Sequence, residues 1–423
     1  MADVRAFRGL RYSLERVRMA DVVAPPYDVI SPSEKERLKA RSSYNVVRLI
    51  LPDGDGDKYA RAARLLDEWT RQGVLRRESF PALYFCRHTF QVYGQTLVRT
   101  GLMAAVKLEP FGRGAIFPHE STLSAPKEDR MRLLRATRTN LSPVFSLFSD
   151  RTGGVRQIQA QVVKAPPTFV LQEESGLCEF WMVSDRGVID RLSALLAPSP
   201  LFIADGHHRY ETALSYLDDL RREGNCSSSA EAVMMLCVAM EDPGLAVLPT
   251  HRLLKAGVGP GWRGLLEALR ADFETVPVTD GIEGALAEPE TTLGRFVLYG
   301  PQHQAWSLTL KEGFDLKTVD PDQSPDWCRL DVAILQRRVF QPLLSLSLER
   351  LTGSDLVGYS HDLGETTRRV EEGSYASAFL MRPTPVGAVA AVANRLEKMP
   401  PKSTFFYPKA LTGLVLRPLL GVD

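Results

Sequence analysis

Cysteine is scarce in this 423-residue sequence, and no two cysteines form a C-x-x-C pair. An odd number of scattered cysteines argues against a disulfide framework, and the missing C-x-x-C pair argues against a zinc knuckle. We therefore expect a reducing compartment. The five cysteines are Cys86, Cys178, Cys226, Cys237 and Cys328.

Long apolar runs and an excess of one charge are missing as well. The longest apolar run, residues 232–240, is too short to span a bilayer, and residues 1–18 lack the uninterrupted apolar region of a secretory signal. Lys and Arg total 52 against 51 Asp and Glu, so no global field attracts nucleic acid or an anionic membrane. These features predict a soluble cytoplasmic protein in which any anion binding is local, and they leave the oligomeric state open.

The chain is longer than one hydrophobic core usually organises, so two or three domains of roughly 100 to 200 residues are expected. Apolar-rich runs at 82–90 and 96–108 predict a β-hairpin, whereas later residues alternate between strand-like and helix-like patterns. We predict a mixed α/β (α+β) fold. Its parts are an N-terminal α+β domain over 1–150, an α/β region over 151–320, and a C-terminal helical segment with a basic-aromatic tail over 321–423.

The densest polar cluster lies between a predicted strand and a predicted helix. Residues 201–204 form an apolar run typical of a buried strand, and apolar residues recur at helical spacing from Tyr210 onward. Residues 205–209 are therefore predicted to form the turn that opens the helix. The N-terminus of a helix presents backbone N–H groups and a positive dipole end, which together suit a phosphate group.

The side chains of this turn fit the same chemistry. Gly206 lets the backbone approach a ligand, Arg209 can offer a bidentate fork, and His207 or His208 can donate to a phosphate oxygen or shuttle a proton. The alternative is that Asp205 is a plain N-cap, one histidine packs in the core and the other is solvated.

The metal content of such a site stays open. Neighbouring histidines on a turn diverge, and the chain has no histidine pair four residues apart and no H-E-x-x-H, which argues against a zinc site made by protein alone. Mg²⁺ carried in by a nucleotide needs only one or two carboxylates.

A second cluster covers residues 118–140. Ser124 is predicted to cap a helix with a basic face, which is either solvated or a phosphate-binding surface. The loop before it carries a histidine next to a glutamate, a candidate acid/base pair. The residues concerned are His119, Glu120, Lys127 and Arg130.

Three weaker segments, residues 22–32, 247–254 and 402–409, also place polar groups at turns or strand ends. Each alone is compatible with a purely structural role. Their candidate phosphate-binding residues are His251, Arg252, Lys402 and Lys409.

Taken together, these segments resemble a widespread bacterial and archaeal family known only as a domain of unknown function. The shared motifs are PPYDV (Pro25 to Val29), H-E-x-T (His119 to Thr122), K-x-D-R (Lys127 to Arg130), ADGHHRY (Ala204 to Tyr210), LPTHR (Leu248 to Arg252) and KSTFFYPK (Lys402 to Lys409).

The D-G-H-H-R core is also similar to the nucleotide-binding motif of the ParB/sulfiredoxin superfamily, which includes the ParB-like free serine kinases. This local resemblance implies a ParB/sulfiredoxin-like nucleotide-binding core, with a phosphate group at the N-terminus of the helix. It implies phosphate-binding or catalytic roles for the turn residues, which are Asp205, Gly206, His207, His208 and Arg209.

The function predicted is phosphoryl transfer from ATP or ADP, with Mg²⁺, to a small hydroxylated metabolite such as serine. Asp205 or Glu120 would accept the hydroxyl proton. Two other functions stay open: a nucleotide-binding regulatory switch, and a phosphoester hydrolase that uses His119 and Glu120 or the two histidines of the turn.

Overall fold

The computed structural model describes residues 1–54, 56–120, 124–287, 292–347, 350–351 and 355–419, with the backbone alone described for 124–126. Helices and strands of both units confirm the predicted mixed α/β class. Unit 1 comprises residues 1–118, 122–245 and 408–423, and unit 2 comprises residues 119–121 and 246–407. Across the part of the chain described, no helix is both long and apolar enough to cross a bilayer.

Unit 1 is built on strands and helices taken from three stretches of chain. Its strands are β1 (Val4–Arg5), β2 (Leu10–Tyr12), β3 (Leu75–Arg77), β4 (Leu83–Val92), β5 (Gln95–Lys107), β6 (Ile116–Pro118), β7 (Thr139–Asn140), β8 (Val144–Phe148), β9 (Phe169–Glu173), β10 (Gly176–Val183), β11 (Leu201–Asp205), β12 (Ala232–Ala239) and, near the C-terminus, β21 (Arg417–Pro418). Its helices are α1 (Met19–Val22), α2 (Pro32–Arg41), α3 (Val47–Ile50), α4 (Lys58–Arg71), α5 (Ser124–Thr137), α6 (Gly154–Val162), α7 (Arg186–Leu196) and α8 (His207–Arg222), with 3-10 turns at Tyr27–Val29 and Ser228–Glu231.

A nine-stranded mixed sheet forms the centre of unit 1. Its order is β6-β11-β8-β12-β5-β4-β10-β9, with β1 beside β5. Strand β11 runs parallel to β6 and antiparallel to β8, and its apolar residues are fully buried. Helix α8 packs on this sheet through Tyr210, Ala213 and Leu217, which belong to the main core of the unit. Packing on both sides of the turn therefore fixes the direction in which α8 leaves β11.

Unit 2 is built on a six-stranded antiparallel sheet of order β15-β17-β16-β19-β14-β18, beside a two-stranded pair of β13 with β20. Its strands are β13 (Ala246–Leu248), β14 (His251–Leu254), β15 (Phe273–Pro277), β16 (Phe296–Tyr299), β17 (Ala305–Leu310), β18 (Val357–Ser360), β19 (Ser377–Met381) and β20 (Phe405–Tyr407). Its helices are α9 (Gly261–Leu269), α10 (Ile282–Leu286), α11 (Pro325–Cys328), α12 (Asp331–Ile334), α13 (Gln341–Leu344), α14 (Leu363–Glu371) and α15 (Val386–Asn394), with a 3-10 turn at Leu316–Thr318 and a π-helical stretch at Leu335–Phe340.

The two units divide the chain differently from the three ranges expected over 1–150, 151–320 and 321–423. The predicted hairpin is present as β4 and β5, but β4 pairs with β10 and β5 pairs with β12. Backbone hydrogen bonds within one sheet thus join strands that precede residue 150 in the chain to strands that follow it. The sequence changes near residue 150 from a hairpin pattern to an alternation of strands and helices. In the structure this change lies between strands of the same sheet.

The C-terminal residues of unit 1 are held by a fully buried arginine. Arg417 donates from Nη1 to the carbonyl oxygen of Ala232 (2.8 Å) and from Nη2 to that of Ser229 (2.7 Å). Hydrogen bonds from a charged donor contribute about 1.5 to 3 kcal/mol each.

We expect Arg417→Met to lower the free energy of unfolding by about 3 kcal/mol or more, because both carbonyl groups lose their charged donor. Urea denaturation followed by circular dichroism measures this change. Arg18→Met is the matched control: its side chain is 84% exposed, and a change within about 0.5 kcal/mol is expected. A similar, small change in both variants would contradict a structural role for Arg417.

Candidate functional site

The predicted strand, turn and helix around residues 205–209 are confirmed. Strand β11 ends at Asp205, Gly206 has the left-handed φ of 88°, and α8 starts at His207. A side chain at residue 206 would also place its Cβ 2.9 Å from the guanidinium of Arg209. The backbone conformation at this position therefore favours glycine, and any other residue would also have to displace the guanidinium of Arg209.

Asp205 lies between two cations. Its Oδ1 accepts a hydrogen bond from Lys409 Nζ (2.7 Å), and its Oδ2 accepts one from Arg209 Nη2 (2.8 Å). The side chains are 11 to 14% exposed. The last lysine of the KSTFFYPK motif and the DGHHR turn are thus joined by a buried ion-pair triad, Asp205–Arg209–Lys409.

These ion pairs decide the protonation of Asp205. Burial alone would raise its pKa, but Lys409 and Arg209 outweigh burial and hold the pKa well below the usual range. A carboxylate with so low a pKa binds a proton weakly at neutral pH. The role of proton acceptor for Asp205 stays a prediction that these contacts do not favour, and the geometry suits Asp205 to positioning the two cations.

Arg209 is engaged differently from the expectation of a free fork. Besides Asp205, it donates from Nη1 to the carbonyl oxygen of Pro143, so both terminal nitrogens have protein partners. Its Nε is buried without a hydrogen-bond partner. Each terminal nitrogen uses one of its two N–H groups in these bonds, so a bidentate contact to phosphate through them would have to use the second N–H of each.

The two histidines occupy the first positions of α8 and differ in exposure. His207 is buried, at 7% exposure, whereas His208 is half-buried. The first N–H groups of a helix have no intrahelical acceptor. His208 is accordingly the histidine whose side chain can reach a molecule at the N-terminus of α8.

Helix α5 adds two predicted residues to unit 1. Lys127 donates to Glu211 Oε2 on α8 (2.8 Å), which ties the two helices together. Arg130 donates to Asp129 and to the carbonyl oxygen of Ile50 (2.8 Å), and its guanidinium lies 4.1 Å from the ring centroid of Tyr27. The PPYDV and K-x-D-R motifs therefore meet. Ser124, predicted to cap α5, is instead its first helical residue, and its side chain lies outside the described residues.

The remaining predicted residues lie in unit 2. His119 is fully buried, with Nε2 2.9 Å from Thr404 Oγ1, and Glu120 Oε1 accepts the backbone N–H of Lys402 (2.9 Å). Lys402 has a left-handed φ of 61°, and its carbonyl oxygen accepts a hydrogen bond from Arg252 Nη2 (3.0 Å). Glu120, expected as an alternative proton acceptor, instead fixes a strained backbone position.

His251 has a structural role in the same unit. Its Nδ1 accepts the backbone N–H of Met381 (3.0 Å), and burial, together with the neighbouring Arg252, lowers its pKa to about 4. It is therefore neutral at physiological pH. Arg252 is buried as well and donates to the carbonyl oxygen of Thr250, so neither residue presents a hydrogen-bonding group as a surface phosphate site would.

The structure thus sorts the predicted residues by unit. Unit 1 holds Lys127, Arg130, Asp205, Gly206, His207, His208, Arg209 and Lys409, whereas unit 2 holds His119, Glu120, His251, Arg252 and Lys402. Thr212 lies one turn beyond Arg209 and outside the motifs recognised in the sequence, and its buried Oγ1 has no partner. Its spacing of three residues from Arg209 was the signal that could have found it.

Comparison with known proteins gives a family and distant structural likenesses. Residues 4–333 match the family described as "Protein of unknown function (DUF1015)". No curated protein matches the sequence. Among solved structures, the chain is similar to a conserved hypothetical protein from Pyrococcus furiosus, at 14% identity and a TM-score of 0.35, over 70% of this chain and 89% of that one.

Two further solved structures show likenesses of the same order. A free serine kinase in complex with AMP has 13% identity and a TM-score of 0.34, over 69% of this chain and 83% of that one. SbnI from Staphylococcus aureus, with a C-terminal truncation, has 10% identity and a TM-score of 0.36, over 75% of this chain and 87% of that one. At these TM-scores the likenesses do not carry a function across.

We expect Gly206→Ala to destabilise the turn for two reasons. The left-handed backbone costs about 1 to 2 kcal/mol with a side chain, and the new Cβ displaces an Arg209 guanidinium that Asp205 and Pro143 hold in place. Gly224→Ala is the matched control, because Gly224 has a φ of 69° but a Cβ added there would meet no atom within 4 Å. Equal losses of unfolding free energy in the two variants would show that the contacts of the Arg209 guanidinium with Asp205 and Pro143 add nothing to the cost of the substitution.

The ion-pair triad also predicts a dependence of stability on pH. The pKa of Asp205 is lower in the folded than in the unfolded state. The ionised carboxylate therefore adds its full contribution to the free energy of unfolding above the unfolded pKa of about 3.9, and this contribution is lost as the pH falls below that value. Asp205→Asn should lower the unfolding free energy by about 3 kcal/mol at pH 7, the usual loss for a broken buried pair, and by less at pH 3.

Urea denaturation of both proteins at the two pH values measures this difference. The exposed Asp190 on α7 provides the control, since Asp190→Asn should change the unfolding free energy by less than about 0.5 kcal/mol at either pH. A gap between wild type and Asp205→Asn that does not shrink at low pH would show that the charge of Asp205 is not what stabilises the turn.

Proposed function

Because this chain belongs to the DUF1015 family of proteins of unknown function, we propose its activity from the site in unit 1: it is a phosphotransferase that moves a phosphoryl group from a nucleotide to the hydroxyl group of a small metabolite. The observation that carries the proposal is the turn between β11 and α8. There the first N–H groups of a 16-residue helix, two histidines and the Asp205–Arg209–Lys409 triad meet at the end of a buried strand.

The charge of this turn supports binding of an anion. Asp205 balances only one of the two cations that hold it, so the triad keeps a net positive charge. The helix dipole adds positive potential at the same place. A phosphate group at the N-terminus of α8 would therefore be stabilised without any further cation, which is the usual physical basis of such sites.

The proposed step needs few chemical groups from the protein. The acceptor hydroxyl oxygen forms a bond to the terminal phosphorus of the nucleotide, the bond from that phosphorus to its bridging oxygen breaks, and the shortened nucleotide leaves. His208, the more exposed histidine, accepts the hydroxyl proton. Asp205 stays ionised throughout and holds Lys409 and Arg209 where negative charge develops.

Mg²⁺ would enter with the phosphates of ATP or ADP and neutralise their charge. The oxygens of Asp205 are occupied by Lys409 and Arg209, and within the described part of the chain no group of three or more His, Cys, Asp or Glu side chains could hold a metal ion. The residues present fit a nucleotide-borne cation better than a metal ion held by the protein alone.

The test is incubation of the full chain with ATP or ADP, Mg²⁺ and a panel of small hydroxylated metabolites, with products followed by ³¹P NMR. We expect one phosphorylated product. His208→Gln should lower turnover by roughly 10² to 10⁴ and leave nucleotide affinity nearly unchanged, because a general base acts on the reaction and contributes little to binding.

The matched control is His303→Gln, since the side chain of His303 in unit 2 is 83% exposed, and turnover should be unchanged. Nucleotide binding without any phosphorylated acceptor would replace the phosphotransferase with a regulatory switch. Release of phosphate from phosphoesters in the absence of nucleotide would replace it with a hydrolase.

A further inference from the structure

A small cavity in unit 1 borders the same helix on the side of α5. Its volume is about 60 Å³, which leaves room for roughly four water-sized groups. Tyr27, Arg130, Arg209 and Thr212 are among the residues that line it, together with aliphatic side chains such as Leu133 and Val233. The cavity therefore combines a mostly apolar wall with a few polar groups, as sites for small molecules do.

Two residues that line this cavity each carry a buried polar atom without a hydrogen bond. Thr212 is 3% exposed and its Oγ1 has no partner, and the buried Nε of Arg209 has none either. The two residues are three positions apart and so lie on one face of α8. Buried polar groups are almost always satisfied, so two unsatisfied donors on one face of α8 leave hydrogen-bonding capacity for a bound molecule.

The charge of the wall narrows the class of molecule. Arg130 and Arg209 lie on the wall, and the carboxylates paired with them, Asp129 and Asp205, are not among the described lining residues. An anionic group is therefore favoured over an ammonium group, which would meet like charge. A planar carboxylate is the small anion that matches a guanidinium N–H beside a hydroxyl group.

We propose that this cavity binds the carboxylate of a small hydroxy acid of two to four carbons, which is the phosphoryl acceptor of the reaction proposed above. Thr212 Oγ1 and Arg209 Nε donate to the carboxylate oxygens. The hydroxyl group extends toward the first turn of α8, of which Arg209 is part. This assignment rests on the proposed phosphotransferase for the role of the ligand, but the binding itself does not.

The test is titration of the full chain with glycolate, lactate and glycerate by isothermal calorimetry, beside serine, glycerol and inorganic phosphate. We expect saturable binding of at least one hydroxy acid. Glycerol, which lacks the carboxylate, and serine, which has an ammonium group in place of the 2-hydroxyl of glycerate, should bind at least tenfold more weakly. Binding of phosphate alone, with none of the acids, would overturn the proposal.

Thr212→Val provides the decisive variant, because it keeps the shape of the side chain and removes the hydroxyl group. Since that hydroxyl has no partner in the protein, the variant should unfold at the same or a higher temperature, while affinity for the hydroxy acid falls roughly ten- to hundredfold. Thr212→Ser should restore most of the affinity. Thr366→Val is the control, a buried helical threonine of unit 2 whose Oγ1 donates to the carbonyl oxygen of Asp362 (2.6 Å), and should keep full affinity.

The results of these experiments distinguish the cavity assignment from the proposed phosphotransferase activity. If hydroxy acids bind in a Thr212-dependent way but none is phosphorylated, the phosphotransferase fails and the cavity assignment stands. If a neutral polyol is phosphorylated and no acid binds, the activity stands and the cavity assignment fails. Serine binding as tight as that of glycerate and equally sensitive to Thr212→Val would overturn the choice of hydroxy acids over amino acids.

Discussion

The buried carboxylate of Asp205 is the group on which the rest of the turn depends. Asp205 is the last residue of β11. Its hydrogen bond with Arg209 fixes the first turn of α8 at the end of this strand, and its hydrogen bond with Lys409 fixes the chain near residue 409 at the same place. Without the two cations, burial would raise the pKa of this carboxylate, and without the carboxylate each cation would lose the partner that compensates for its burial. Only the three charges together are stable there, so the position of each depends on the other two.

This interdependence limits what the turn can offer a ligand. A buried charge must be paired within the protein before any ligand arrives, so Arg209 and Lys409 already have partners. The chemistry proposed for the site therefore falls to the N-terminus of α8, the half-buried His208 and the Nε of Arg209. In the proposed reaction the ion pairs fix the geometry and supply positive charge, and these groups contact the substrate.

The motif residues of unit 2 also fix the geometry of the backbone. In unit 2, Glu120 and Arg252 bind the backbone N–H and carbonyl groups of Lys402, whose left-handed conformation needs such support. Polar residues that satisfy buried backbone groups tolerate few replacements, just as catalytic residues do. A charged or histidine residue within a compact motif therefore indicates a constrained position, and its contacts decide whether the constraint is structural or chemical.

The sequence by itself determined the local structure: the hairpin of β4 and β5, the passage from β11 through Gly206 into α8, and the presence of a helix after the HE dipeptide at 119–120, because residue periodicity and turn chemistry act over a few residues. Only the tertiary structure decided which motifs share a unit and which charges pair. Lys409 lies 204 residues from Asp205 along the chain, and no local pattern encodes a contact at that separation. Such pairing follows from the path of the whole sheet, which also turned the apparent boundary at residue 150 into a connection between paired strands.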